Sequence, residues 1–251
     1  MAGAKRTPLS YQERTYRSVQ HSGLTAFEVK MAETDLHILA SAAAQDQALL
    51  AVAKVREEIE GYIRRHPLFL SSLVPLPLDS TAPEPVRAML AAGLAADVGP
   101  MAAVAGVIAE AVGRELLRQG QAEVIVENGG DLFLARLQPS IVAVQAGASS
   151  LSGRLGIKLR PEQMPCGLCC SSGTVGHSLS FGQADAAAVL ASSAAVADAA
   201  ATRLGNEVKR RDSRSVSRAV ELAKSIAGVT GAVVIAGDHL GAWGDVELVE
   251  L

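Results

Sequence analysis

A carboxylate and a hydroxyl stand four positions apart in a segment made almost entirely of alanine. They are Asp198 and Thr202, in the sequence AAVADAAAT that begins at Ala194. So much alanine predicts a helix, and residues four apart lie on the same face of a helix. The small neighbours leave room for a ligand, and a carboxylate with nearby oxygen ligands is what a hard cation such as Mg2+ requires. The pair therefore indicates a candidate cation site.

Two glycine-containing segments carry further candidate contacts. Asp97 and Gly99, in the sequence DVGPMA, precede a predicted long helix. Small residues at a helix N-terminus can bind phosphate, but the same residues would also serve an ordinary helix start with Asp97 near the N-cap. The second segment, ENGGD at residues 127–131, is typical of a β-hairpin, and its glycines would also let a ligand approach Glu127 and Asp131. A dinucleotide-binding fingerprint is excluded, because another strand follows and no GxGxxG opens a helix.

A cysteine cluster and a hydroxyl-rich segment follow one another along the chain. Cys166, Cys169 and Cys170 include one CxxC, but no second pair completes a zinc site, and we interpret them as buried, unreactive thiols. The next segment, SSGTVGHSLSFG at residues 171–182, offers hydroxyls and backbone N–H groups to a phosphate or ribose. Its His177 is a candidate proton donor or acceptor. The alternative is a surface loop without chemistry.

The composition disfavours several classes of partner. The chain has 251 residues, of which 49% are hydrophobic and 20% charged, so a large buried core is expected. Aromatic residues make up only 3% and the net charge is -3, which argues against a nucleic-acid partner or an anionic membrane surface. No apolar signal segment follows the basic N-terminus, and no charge-free apolar stretch reaches the roughly 18 residues of a membrane helix. We therefore expect a cytoplasmic protein.

The elements that must position these residues follow from the periodicity. Helices are predicted over residues 45–66, 86–95, 100–119, 193–206 and 215–227. Strands are predicted over residues 27–31, 36–39, 123–127, 132–135, 141–145, 155–159, 187–190, 232–236 and 246–251. This order favours an α+β fold over a doubly wound sheet, and no internal repeat is evident.

The domain organisation is expected to be simple. Residues 1–10 are interpreted as a loose leader and residues 11–251 as a single domain. Five prolines within residues 67–85 predict an extended connection that packs across this domain. The many alanine-faced helices favour a homodimer.

Four of these segments resemble, in sequence and in order, the motifs of the ApbE superfamily. They are residues 97–102, residues 126–131, residues 171–173 with His177, and residues 197–202. Members of the superfamily are FAD-binding flavin transferases that use Mg2+ to attach FMN to a protein threonine. More closely, the chain is similar to an uncharacterised cytoplasmic branch, through VGPMAAVAG, VENGGD and SSGTVGHSLSFG. The resemblance implies the ApbE-like α+β fold, related to the tunnelling fold, with mixed or antiparallel sheets packed against helices.

The resemblance also implies roles for individual residues. Asp198, Thr202 and the main-chain carbonyl of Ala102 match the metal site. Asn128, Gly129, Gly130 and Asp131 match the glycine pair beside the flavin nucleotide, and Ser172 and Gly173 with His177 match the loop near the pyrophosphate and the reaction centre. With Asp97, Gly99 and Thr174 from the segments above, these residues form the candidate ligand-binding set.

Because of two departures from the transferase pattern, the resemblance supports metal and nucleotide binding better than it supports flavin transfer. The sequence after His177 is SLSFG rather than Asp-Pro-x-Thr-Gly, and Ala103 stands where the transferases have a lysine. The leading hypothesis is therefore an enzyme of undefined reaction that binds FAD, another nucleotide or another phosphorylated ligand with Mg2+. The alternative is a non-catalytic nucleotide-binding or carrier protein. A purely structural protein would instead bury Asp198 and Thr202 in an ordinary helix contact with no cavity nearby.

Overall fold

A computed structural model describes residues 23–172 and 181–251, and in this part of the chain eight strands form one antiparallel sheet. In spatial order they are β1 (Thr25–Met31), β2 (Thr34–Ala40), β3 (Val124–Asn128), β4 (Asp131–Ala135), β7 (Cys166–Ser171), β8 (Ala186–Ala191), β9 (Val229–Ala236) and β10 (His239–Gly244). A smaller antiparallel sheet contains β5 (Ser140–Ala143), β6 (Leu155–Leu159) and β11 (Glu247–Glu250).

Helices fill two of the three long connections between strands of the large sheet, and the third, between β4 and β7, contains β5 and β6. The helices are α1 (Gln45–Arg65), α2 (Leu68–Ser71), α3 (Glu84–Ala96), α4 (Val104–Arg118), α5 (Ala194–Glu207) and α6 (Ser213–Ala223). A 3-10 turn over Pro100–Ala103 leads into α4, and a second one covers Pro161–Gln163.

The large sheet consists of two halves with the same order of elements. In the first half, β1 and β2 are followed by helices α1 to α4 and then by β3 and β4. In the second half, β7 and β8 are followed by α5 and α6 and then by β9 and β10. Strands β4 and β7 pair with each other and join the halves. We call this pair the seam.

The large sheet is covered on both faces, which explains its composition. Val126 and Phe133 pack into the cluster formed with the helices, whereas Ile125 and Leu134 pack into a second cluster with the small sheet. Side chains of a strand alternate between faces, so a strand covered on both sides is mostly apolar. Strand β3 accordingly is buried along its whole length.

Glycines allow the helices to lie close to each other and to the seam. A Cβ atom on Gly106 of α4 would lie 2.2 Å from the carbonyl oxygen of Ala194 at the start of α5. A Cβ on Gly167 of β7 would lie 2.3 Å from the Cα of the same alanine. Gly113, about two turns after Gly106 in α4, leaves space for the ring of Phe133. Only glycine fits at these three positions without movement of the neighbours.

Most elements expected from the sequence are present. Helices α1, α3, α4, α5 and α6 confirm the five predicted helices, and nine of the strands confirm the nine predicted ones within a few residues at their ends. The α+β fold class with antiparallel sheets is therefore confirmed. The leader over residues 1–10 lies outside the described residues, and the single-domain boundary stays a prediction.

Three expectations about the elements are wrong in detail. Strands β7 and β10 were not expected, because the cysteine segment is buried on both faces and β10 is rich in small residues. One helical turn, α2, forms inside the segment predicted to be extended throughout. The first turn of the predicted helix at residue 100 is a 3-10 turn.

No single helix within residues 23–172 and 181–251 is long and apolar enough to cross a membrane. Glu84–Ala96 and Pro100–Arg118 together meet the length and composition required, but they are bent by 105° at the break between them. Both segments contribute buried residues to the core.

We predict that Gly106→Ala lowers the free energy of unfolding by roughly 1–3 kcal/mol, the usual cost of overpacking, because the new methyl group meets the backbone of α5. Gly61→Ala is the matched control. Its methyl group would meet only flexible arginine side chains, and alanine favours the helix by about 0.5–1 kcal/mol. Urea unfolding of the two variants measures both effects. Equal stability of Gly106→Ala and the wild type would contradict the proposed close contact.

Candidate functional site

The turn between β3 and β4 takes the conformation that its two glycines allow. Gly129 and Gly130 have φ values of +69° and +106°, as the two central residues of a type I′ hairpin turn require. Asn128 and Asp131 pair across the turn, and the N–H of Gly130 donates to Oε1 of Glu127 at 2.9 Å. The hairpin interpretation is confirmed. The turn also holds the side chains of Asn128 and Asp131 at one end of the seam.

Asp131 is a buried carboxyl at this end of the seam. The pKa of Asp131 is raised from 3.8 to about 7, chiefly by burial and to a smaller extent by the negative charge of Glu127. Hydrogen bonds from the Cys169 thiol and the Cys170 backbone act in the opposite direction and favour the ionised form. Burial dominates, because water no longer solvates the charge.

Asp198 is the second buried carboxyl, and it approaches the seam from α5. Its Oδ2 accepts a hydrogen bond of 2.9 Å from the backbone N–H of Gly106 in α4. Burial raises the pKa of Asp198 well above its usual value, and repulsion from Asp131 raises it further. Asp131 and Asp198 are therefore close enough to interact electrostatically. Neither of them forms an ion pair with a lysine or arginine in the part of the chain that the structure describes.

Cys169 lies next to both acids. Its Sγ is 3.5 Å from the carbonyl oxygen of Ala194, and burial with the charges of Asp131 and Asp198 raises the pKa of the thiol. Burial also raises the pKa of Cys166 and Cys170 to about 12. All three thiols are free and stay protonated at neutral pH, which agrees with unreactive cysteines, although only Cys166 and Cys169 are buried and Cys170 is half-buried.

Helix α5 begins at a carboxylate supplied by another helix. Oε2 of Glu110 in α4 accepts hydrogen bonds from the Ser193 hydroxyl at 2.9 Å and the Ala194 N–H at 2.7 Å. A carboxylate at a helix N-terminus satisfies an otherwise unpaired N–H group and interacts favourably with the helix dipole. Glu110 and Gly106 therefore fix the position of α5 on α4, and with it the position of Asp198.

The other two predicted cation ligands lie on the helix of Asp198 and in an element that packs against this helix. Thr202 is half-buried and lies one turn beyond Asp198 on the same helix. Ala102 belongs to the 3-10 turn that packs against α5.

Asp97 and Gly99 have structural roles at the start of the same segment. Asp97 has a left-handed conformation at the C-cap of α3, so the interpretation as an N-cap of the long helix is wrong. Its exposed carboxylate lies 4.0 Å from Nη2 of Arg203. Gly99 is buried against residue 72, where a Cβ would lie 1.8 Å from the Ser72 carbonyl oxygen. A ligand contact of either residue stays a prediction.

Only the two ends of the hydroxyl-rich segment, residues 171–172 and 181–182, are described. Ser172 is half-buried just after β7. Gly173, Thr174 and His177 lie outside the described residues, so the structure does not test their predicted roles. At the other end of the segment, the N–H of Phe181 donates to Oδ1 of Asn206 at 2.8 Å, near the end of α5.

A cavity of about 620 Å3 lies between α1 and the start of α4. Asn128 and Ala105 border it, and Nδ2 of Asn128 donates to the carbonyl oxygen of Ala105 at 3.1 Å. The next residue, Gly106, is the hydrogen-bond donor to Asp198. The cavity and the buried acids therefore adjoin the same turn of α4, although Asp198 and Thr202 do not line the cavity.

The chemistry of these residues fits a hard cation. The predicted donors are a carboxylate, a hydroxyl and a main-chain carbonyl, and oxygen ligands of this kind suit Mg2+. Two buried carboxyls that repel each other would also be stabilised by a positive charge between them. No group of three or more histidine, cysteine or acidic side chains that could hold a metal occurs within residues 23–172 and 181–251. Any cation would therefore depend on backbone and hydroxyl oxygens as well.

Several residues of the site were not expected from the sequence. Gly106 and Glu110 position Asp198 and α5, but a glycine and a glutamate inside a helix look like ordinary packing and surface residues. The contribution of α1 to the cavity was also missed, because it follows from the pairing of distant elements. One signal was available in the sequence: Glu110 comes four residues after Gly106, so the two residues lie on the same face of the helix.

Two solved structures with the same fold are described as flavin transferases. The chain superposes on the flavinyl transferase ApbE of Pseudomonas stutzeri in its apo form with a TM-score of 0.58 and 13% identity, covering 88% of this chain and 94% of that one. A variant of the flavin transferase ApbE of Vibrio cholerae gives a TM-score of 0.57 with 12% identity, covering 88% of this chain and 97% of that one. At these identities the likeness defines the ApbE fold.

Sequence comparison then defines the family. A family model described as "AbpE bacteria" matches residues 17–233, and the chain belongs to this ApbE-like family. A UPF0280 protein of Methanococcus maripaludis strain C5 is 44% identical over 198 residues, which cover 78% of this chain and 80% of the relative. A UPF0280 protein of Methanosarcina barkeri is 40% identical over 224 residues, which cover 89% of this chain and 87% of the relative.

We predict that the buried acids make stability depend on pH. Because the folded pKa of Asp131 is raised to about 7, the folded state holds a proton that the unfolded state releases above about pH 4. In EDTA, the free energy of unfolding should therefore fall as the pH rises from about 4 to about 7. Asp131→Asn should reduce this slope, since the amide does not titrate.

The control for this experiment is Asp46→Asn, which changes an exposed acid in the first turn of α1. Urea unfolding across the same pH window should give this variant the wild-type slope. An Asp131→Asn slope equal to that of the wild type would show that Asp131 ionises normally in the folded protein.

Proposed function

We propose that this protein is an enzyme that binds a phosphorylated, nucleotide-like ligand together with Mg2+ at the end of the seam. The observation that carries the proposal is the buried pair Asp131 and Asp198, which no lysine or arginine neutralises within the described residues. Buried charges without a partner are costly and are retained where a ligand uses them. The flavin transferases with the same fold support a nucleotide such as FAD as the ligand.

The roles of the residues follow from their chemistry. Asp198, Thr202 and the carbonyl of Ala102 would hold the cation, which when bound neutralises negative charge on the ligand's phosphate groups. Asn128 and the backbone of the glycine turn would contact the ligand beside it. Gly106 and Glu110 keep Asp198 in place. His177 would transfer the proton in the chemical step.

The test is ligand binding with and without Mg2+. FAD, FMN and ATP are titrated separately, and the thermal midpoint and the calorimetric Kd are measured in Mg2+ and in EDTA. At least one of the three should raise the midpoint in Mg2+ only. Asp198→Asn should weaken this Mg2+-dependent binding by roughly tenfold or more, whereas the exposed control Asp46→Asn should bind like the wild type. No response to any of the three compounds would refute the proposal.

A carrier that binds the ligand without reaction is the second candidate. Ala103 supports it, because this position, where the resembling transferases have a lysine, is fully buried and supplies no charge. The replaced Asp-Pro-x-Thr-Gly segment points in the same direction.

Turnover distinguishes the enzyme from the carrier. We expect the wild type to hydrolyse or transfer the bound nucleotide and His177→Ala to lose roughly 100-fold or more of this rate, the usual contribution of a general acid or base. Single-turnover assays with the ligand identified above measure the rate. Unchanged ligand in the presence of tight binding would establish the carrier instead.

A further inference from the structure

The cavity between α1 and α4 has its own binding chemistry. Its volume of about 620 Å3 lies in the range of small-molecule sites, roughly 300–1,000 Å3. None of the three predicted cation ligands lines it, although Asn128, which would contact the nucleotide, borders it. We propose that this cavity is a second binding site, which takes an anionic amphiphile with its aliphatic chain inside and its charged group at Arg64.

The inner wall of the cavity is aliphatic. Ile59 and Ile63 of α1 line it on one side, and Met101, Val104 and Ile108 line it on the other. No aromatic side chain is among the lining residues that the structure describes. A flavin or purine ring would bring polar edges to a wall without hydrogen-bond partners and would find no ring to stack on. An aliphatic chain requires only apolar burial, which this wall provides.

Most polar side chains at the rim form hydrogen bonds with one another. Arg56 donates to Glu33, Glu60 and the Thr34 hydroxyl, each at 2.8 Å. Both acids of the rim are therefore engaged by a single arginine. The amide nitrogen of Asn128 is bonded to a backbone carbonyl.

Arg64 is the exception at this rim. It is exposed in the last turn of α1, it lines the cavity, and no carboxylate in residues 23–172 or 181–251 forms an ion pair with it. A guanidinium group at the mouth of an apolar cavity selects a ligand that carries an anionic group next to an apolar body. Phosphate and carboxylate groups both meet this requirement.

The experiment uses three probes with the same chain length, each below its micellar concentration. Octyl phosphate and octanoate carry the two anionic groups, and octanol carries none. Calorimetry of the full chain in EDTA should detect binding of at least one anionic probe. Arg64→Gln should weaken that binding by about fivefold, as expected for an exposed ion pair, and should leave octanol unaffected. Arg65→Gln, in the same helical turn but outside the cavity lining, is the matched control and should bind like the wild type.

A second variant tests the wall. Ile63→Gln should weaken binding of all three probes, while Leu50→Gln, at a 71% exposed position of the same helix, should not. Circular dichroism and the thermal midpoint verify that both variants are folded. Failure of both anionic probes to bind the wild type, or equal effects of Arg64→Gln and Arg65→Gln, would overturn the proposal. Binding of FMN in EDTA that Ile63→Gln abolishes would also overturn it in favour of an aromatic ligand.

The outcome is separable from the test of the proposed function. Probe binding is measured in EDTA and should survive Asp198→Asn, whereas nucleotide binding requires Mg2+ and should not. Either site can therefore be refuted while the other stands.

Discussion

The contact between α4 and α5 across the seam is the constraint on which the site depends. Gly106 brings the backbone of α4 against Ala194, and Gly167 brings β7 against the same residue from the sheet side. The alanines of α5 are thus required by its position, since helix and sheet leave no space for larger side chains. Asp198 interrupts this apolar packing, and the N–H of Gly106 provides one of its hydrogen bonds. The alanines around Asp198 are therefore explained by the close packing of α5 against α4 and the sheet.

The buried acids are an expensive feature that the fold maintains. Two carboxyls and a protonated thiol meet at the end of the seam, where apolar residues of similar size would be more stable. Such departures from good packing are expected at functional sites. The remaining core follows the ordinary rules, with apolar residues on both faces of the large sheet.

The sequence was most informative where periodicity and turn chemistry agree. The stripes of α1 and α4 and the Asn-Gly-Gly turn after β3 predicted their elements well, because each depends on neighbouring residues. Strand β7 was missed because Cys166 faces the small sheet and Cys169 faces the helices, so no polar residue marks the alternation. The proximity of Asp131, Asp198 and Asn128 was anticipated from the resemblance, whereas Glu110 as a cap of α5 was not. The two groups that Glu110 binds, on Ser193 and Ala194, are separated from it by 83 and 84 positions in the sequence, and local patterns do not reveal such contacts.

The two-half architecture has a consequence for how the protein acquires its site. Asp131 belongs to the first half and Asp198 to the second, and the hydrogen bond between Gly106 and Asp198 spans 92 positions of the chain. Contacts of such sequence separation form late, because a long loop must close before they are gained. Neither half can assemble the acid pair alone. Occupation of this site therefore requires that both halves have folded and docked. A ligand bound there would stabilise the docked state over states in which only one half is folded.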